Sequence, residues 1–117
     1  MAKELEERRK YTRADVEIPV TYTYNNKEFK GIVKNIGAGG VLIHCSQPLK
    51  LNTVIPLRLK GGPIKNSIKA VGEVVWTNQY GQEDETTPRG MRIKFTEIKG
   101  EDSRVLKDLT SKLKVNG

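Results

Sequence analysis

The chain reads as a mainly β domain, an antiparallel barrel or sandwich carrying one C-terminal helix. Three observations predict this. A nine-residue stretch, Val16 to Tyr24, alternates apolar and polar residues with a period of two. Several further short runs of the same kind follow at regular spacing, separated by turn residues. The last segment then changes period, with Val105, Leu106, Leu109 and Leu113 recurring as on one face of a helix.

Taken in order, the first strand points Val16, Ile18, Val20, Tyr22 and Tyr24 one way and Glu17, Pro19, Thr21 and Thr23 the other. Pro19 has no N–H to give to a ladder, so the strand must meet an edge or a bulge there. Asn25-Asn26 supplies a two-residue turn that tolerates positive φ. The returning strand spans Lys27 to Lys34, with Phe29, Gly31 and Val33 on one face. Gly40 to Cys45 reads as a third strand and Thr53 to Leu59 as a fourth, broken by Gly61-Gly62-Pro63. In the fifth, Ser67 to Thr77, the pattern places Ile68, Ala70, Val74 and Trp76 on a shared face. The closing strand, Arg89 to Phe95, turns Met91, Ile93 and Phe95 inward against Arg92 and Lys94. Asp102 or Ser103 is a candidate N-cap for a helix of about three turns, with Glu101 near its positive end. Residues 1–13 show no consistent apolar face and are expected to form a flexible basic arm, leaving 14–117 as one folded domain.

A length of 117 residues supports one core and not two. No apolar run approaches the roughly 20 residues of a membrane span, and the charged start of the chain lacks the apolar stretch of a secretory signal. One cysteine, Cys45, allows no internal disulfide. These features point to the cytoplasm. The net charge is +7, and its placement is uneven. Between Phe29 and Gly72 there are seven basic residues and no acidic one. Such a stretch is compatible with a solvated basic face, or with a positive potential that attracts an anion.

Catalytic chemistry has little to stand on. His44 and Cys45 are neighbours in a strand and point to opposite faces, so they cannot pair as base and nucleophile. With a single histidine and a single cysteine there is no metal-ligand spacing. No cofactor is expected. Glu83-Asp84-Glu85 sits in a polar stretch that reads as a hairpin loop. Two other segments fit binding. Asn35-Ile36-Gly37-Ala38-Gly39-Gly40 is a glycine-rich bend that lets backbone N–H groups approach a ligand. Upstream, Arg8, Arg9 and Arg13 offer planar forks suited to phosphate oxygens and to the O6/N7 edge of guanine. Taken alone, each segment reads better as a basic tail or a tight connection. Together they describe a clamp for a small anionic, guanine-bearing molecule. Trp76 reads as a core residue, or as an aromatic wall against which a base or an arginine stacks.

In combination these residues resemble the PilZ domain family, six-stranded barrels that act as receptors for the bacterial second messenger cyclic di-GMP. That family pairs an N-terminal R-x-x-x-R with a later (D/N)-x-S-x-x-G at the start of a strand. Arg9 and Arg13 match the first pattern, and Asn35 and Gly40 the second. The Gly90-to-Phe95 closing strand and the terminal helix extend the likeness along most of the chain. The motif's serine is replaced by Gly37. Loss of one neutral hydrogen bond costs about 0.5–1.5 kcal/mol, a several-fold to tenfold loss of affinity.

The resemblance implies a six-stranded PilZ-type antiparallel barrel with a C-terminal helix and a signalling role without enzymatic activity. It implies that Arg9 and Arg13 wrap over the ligand, Arg8 supports the phosphate charge, and Asn35 reads a guanine edge. Gly37, Gly39 and Gly40 would permit backbone approach. The arm would order on ligand binding and present a new surface to a protein partner in motility, pilus or exopolysaccharide machinery. The alternative is a degenerate PilZ-like adaptor that binds protein and no nucleotide. A barrel for single-stranded nucleic acid is disfavoured, because aromatics for base stacking make up only 6% of the chain.

Overall fold

Alternation and turn chemistry close the sheet on itself. The computed structural model describes residues 13–37, 39–83 and 89–115, and the side chains of 13, 14 and 112–115 lie outside that description. Six strands follow in order: β1 (Arg13–Tyr24), β2 (Lys27–Gly37), β3 (Gly40–His44), β4 (Val54–Gly61), β5 (Ile64–Asn78) and β6 (Gly90–Ile98). Helix α1 (Gly100–Val115) completes the chain. The spatial order β1-β2-β3-β6-β5-β4 is a closed barrel, and every neighbouring pair is antiparallel. Of the two architectures the sequence allowed, the barrel is the one adopted, and closure removes the unpaired edges that a sandwich keeps.

The β1–β2 hairpin turns on Asn25 and Asn26, with φ of 52° and 61°, the geometry in which the turn's twist matches that of the flanking strands. Pro19 falls just beyond the β1–β4 ladder, which begins at Val20 opposite Leu59. Its ring instead lies beside Gly61, so the missing N–H breaks no pairing on that side.

One irregularity controls the rest. The β1–β2 register slips between Asp15 and Ile18, and the β2–β3 register slips between Val33 and Asn35. In the β1–β2 pair the extra residue is on β1, where Val16 and Glu17 stand against Lys34 alone; in the β2–β3 pair it is Lys34 itself. Without it, alternation from Val33 would turn Asn35 inward and Ile36 outward. With it, Val33 and Ile36 are both fully buried and Asn35 faces out. The Lys34 ammonium donates to Glu17 Oε2 at 2.9 Å, tying the two slipped segments together. That hydrogen bond, with the attraction of the same charge, holds the Glu17 carboxyl below its ordinary value.

The interior is filled by Val, Ile and Leu from every strand, and Tyr22 is its largest buried side chain. The Tyr22 ring stacks on Phe29 at 5.4 Å, and its hydroxyl donates to the Gln47 carbonyl at 3.0 Å. Three expectations need correction. A second bulge, between Val74 and Trp76, pairs Val74 with buried Ile93 but Trp76 with Arg92, so Trp76 leaves the face of Ile68, Ala70 and Val74. The helix starts at Gly100 rather than at Asp102 or Ser103, because the Ser103 N–H already reaches the Lys99 carbonyl at 2.9 Å. Its buried stripe runs through Leu106 and Thr110, while Val105 is 45% exposed. Helix α1 packs on β1 and β2, closing the barrel beside the bulge.

Candidate functional site

The two segments singled out in the sequence converge where the β1–β2 ladder ends. Arg13, the first residue of β1, is directly opposite Gly37, the last of β2, and Asp15 is opposite Asn35. Arg8 and Arg9 lie outside the described residues, as does the side chain of Arg13. Asn35 is half-buried, and its Nδ2 donates to Asp15 Oδ1 at 3.4 Å. Asp15 holds one end of that amide, a contact with no signal in the sequence because it depends on the bulge.

Past the bend, the Phe95 N–H donates to the Gly39 carbonyl at 2.9 Å, and Gly40 pairs with Lys94. A Cβ built on Gly40 would lie 2.1 Å from the Ile93 carbonyl oxygen. The absence of a side chain at Gly40 is thus required by the close approach of β6, and its φ is not in the left-handed region. Gly37 is buried and Gly39 partly so.

Around the outside of the barrel, registers place Asn35 opposite Leu42, Leu42 opposite Arg92, and Arg92 opposite Trp76. Asn35 and Trp76 therefore share one row with an arginine between them. A cleft of about 1290 Å3 opens beside the bend and is bordered by Asn35, Gly37, Gly39 and Gly40 together with Arg92 and Lys94. Trp76 is not on its wall, though the adjacent Val75 is. Six cations and two carboxylates border the cleft, so its potential favours an anion. Its size exceeds the ~300–1,000 Å3 of ordinary small-molecule pockets. Arg92 and Lys94 were legible as outward residues of the closing strand, but only strand order β3-β6-β5 brings them to the bend.

Burial shifts the His44 and Cys45 side chains toward their neutral forms. Burial, reinforced by Lys34 and opposed by Glu83, pushes the His44 imidazole below its ordinary value. Burial pushes the Cys45 thiol up, against the Tyr22 hydroxyl and the Gln47 backbone, which pull the other way. A thiol pushed up in this way is not an activated nucleophile. Among the described residues no three His, Cys, Asp or Glu side chains form a metal-binding group, and no helix is long and apolar enough to cross a membrane.

A closed six-stranded barrel, with a helix packed on β1 and β2 and a cleft bordered mostly by cations beside a glycine bend, defines a small β-barrel domain whose cleft suits an anion. The chain belongs to the PilZ domain family, whose sequence profile matches residues 7–112. The fold is similar to that of the Bacillus subtilis inhibitor of motility MotI/DgrA, with a TM-score of 0.77 and 19% identity over 92% of this chain. The chain spans about half of that protein, 52% of its length. It is also similar to the PilZ domain of Escherichia coli YcgR, solved with c-di-GMP, with a TM-score of 0.69 and 13% identity, covering 93% of each chain. At these identities the likeness is one of fold. No curated protein sequence matches the chain.

Proposed function

We propose that this chain is a receptor for cyclic di-GMP that signals to a protein partner through its N-terminal arm. The observation that carries the reading is the β1–β2 register, which sets Arg13 across from Gly37 and Asp15 across from Asn35, where Asn35 and Gly37 border a cationic cleft. Arg9 and Arg13 then clasp the phosphates and guanine, Arg8 adds charge, and Asn35 Oδ1 accepts from a guanine N–H. Trp76 is one row position beyond Arg92, where an arginine laid over a base could stack on it. In the free protein, repulsion among Arg8, Arg9, Lys10 and Arg13 keeps the arm off the barrel. The two phosphates remove that repulsion, the arm folds over the ligand, and the new surface is what a partner in motility, pilus or exopolysaccharide machinery reads. Ordering the arm consumes part of the interaction free energy, so the affinity is moderate. The relatives' association with c-di-GMP and with motility, in YcgR and MotI/DgrA, supports this reading, and the proposed role belongs in the cytoplasm.

Calorimetric titration with cyclic di-GMP tests it. Saturable binding by the wild type, abolished in Arg13→Ala and tightened several-fold in Gly37→Ser, is the expected result. Undiminished binding by Arg13→Ala removes the clamp. A second reading, an adaptor that binds protein and no nucleotide, is favoured by Gly37 in the serine position and by the Asp15 carboxylate beside Asn35, which repels a dianion. No heat at high micromolar ligand with a folded sample selects it.

A further inference from the structure

The acid-free stretch of the sequence is not scattered by the fold. Lys30 on β2 is opposite Thr21 on β1, Thr21 is opposite Arg58 on β4, and Arg58 is opposite Lys69 on β5. The three cations are exposed and stand in one row on the outside of the barrel. One step along, Ile32 is opposite Pro19. Ile32 is 38% exposed, and Pro19 is exposed beside it. Lys60 flanks that pair, since Leu59 before it faces Val20 and Gly61 after it lies beside the Pro19 ring.

The face is thus an apolar pair rimmed by Lys30, Arg58, Lys60 and Lys69. Glu28 lies at its far end, and Glu17 is already engaged by Lys34. Like charges directly opposite, as Arg58 and Lys69 are, weaken a sheet, so folding does not account for the arrangement. An apolar centre inside a charged rim is the anatomy of a protein interface.

We propose that this face docks an acidic helix of a partner protein, one with an apolar residue set among its carboxylates. The surface takes the partner-binding part of the proposed function and centres it on Pro19, Lys30, Ile32 and Lys60, which lie off the cleft that Arg58 and Lys69 border. The dimensions agree: Lys30 and Arg58 stand two strand spacings apart, about 10 Å. Carboxylates two turns apart on a helix are separated by about 11 Å. No aromatic residue stands on these rows to stack a base, which separates the face from a single-strand nucleic-acid platform.

Fluorescence anisotropy at moderate salt, with three labelled probes of equal charge, tests the assignment. The probes are a 15-residue helical peptide with glutamates spaced three, four and seven apart around one leucine, a polyglutamate, and an oligothymidylate. The helical peptide should bind most tightly. Lys30→Glu with Lys60→Glu should weaken it about tenfold or more, and Ile32→Ser several-fold, whereas Arg104→Glu on α1 should leave it unchanged. Equal binding of polyglutamate with no effect of Ile32→Ser, tighter binding of the oligonucleotide, or equal loss in Arg104→Glu would each overturn the proposal. Lys30, Ile32 and Lys60 do not border the cleft, so cyclic di-GMP titrations of the same variants report separately. Failure of the wild type to bind the nucleotide refutes the receptor reading and leaves this surface standing.

Discussion

Replacing Gly40 by alanine distinguishes a glycine kept for a ligand from one kept for the barrel. The new Cβ would meet the Ile93 carbonyl oxygen at 2.1 Å, with the Ile93 carbonyl carbon and Lys94 Cα at 3.1 and 3.2 Å. These are backbone atoms, so no side chain can swing aside, and β6 must retreat by about 1 Å before the contact is tolerable. That movement breaks the Phe95 N–H bond to the Gly39 carbonyl, now 2.9 Å. Overpacking costs about 1–3 kcal/mol, and a ladder bond left unmade about 1 kcal/mol or more. A loss of about 2–4 kcal/mol is a large share of the ~5–15 kcal/mol that a domain of this size has. In urea, with a slope of about 1–2 kcal/mol per M, the midpoint should fall by about 2 M. Measured by circular dichroism, a Gly40→Ala midpoint within about 0.5 M of the wild type would refute the packing argument. It would return Gly40 to a role in ligand approach alone.

Two further outcomes follow from the core. Leu106 is fully buried under α1, so Leu106→Ala should cost about 2–4 kcal/mol and speed proteolytic cleavage within the helix. An intact digestion pattern would contradict the docking of α1. Stability should also be lost in alkali. Burial raises the Cys45 thiol above its ordinary 9.0 and the Tyr22 phenol above its ordinary 10.0. The folded state therefore holds these protons more tightly than the unfolded chain. Their contribution is complete below the ordinary values and disappears as pH climbs through the folded ones. The thermal midpoint should be level to about pH 8.5 and decline beyond it, less steeply in Tyr22→Phe and Cys45→Ala. A decline identical in all three proteins would show that neither buried group causes it.

Much of the barrel was legible because period and turn chemistry are local. Val16 to Tyr24 alternates cleanly, and Asn25-Asn26 adopts the two positive φ angles such a pair permits. What escaped were the places where one extra residue shifts the phase. Period alone sets Trp76 on the face of Val74, and the bulge between them turns it toward Arg92. Alternation stops at Lys34, which is why the sequence ends strand β2 there, yet the strand runs on to Gly37. The convergence of Arg13 with Gly37 was anticipated from two motifs, but the part of Asp15 depends on long-range register. Helix α1 began early because capping at Lys99 uses a backbone carbonyl, which carries no side-chain signature.

The slip at Lys34 also sets a rule for comparing this chain with others. Side chains in a strand alternate between lumen and outside, so a single insertion acts as a parity bit. Odd or even length between Phe29 and Asn35 decides whether the asparagine greets solvent or is sealed among Ile18, Val33 and their neighbours. A gap misplaced by one position in an alignment would keep every letter of the motif and reverse its meaning.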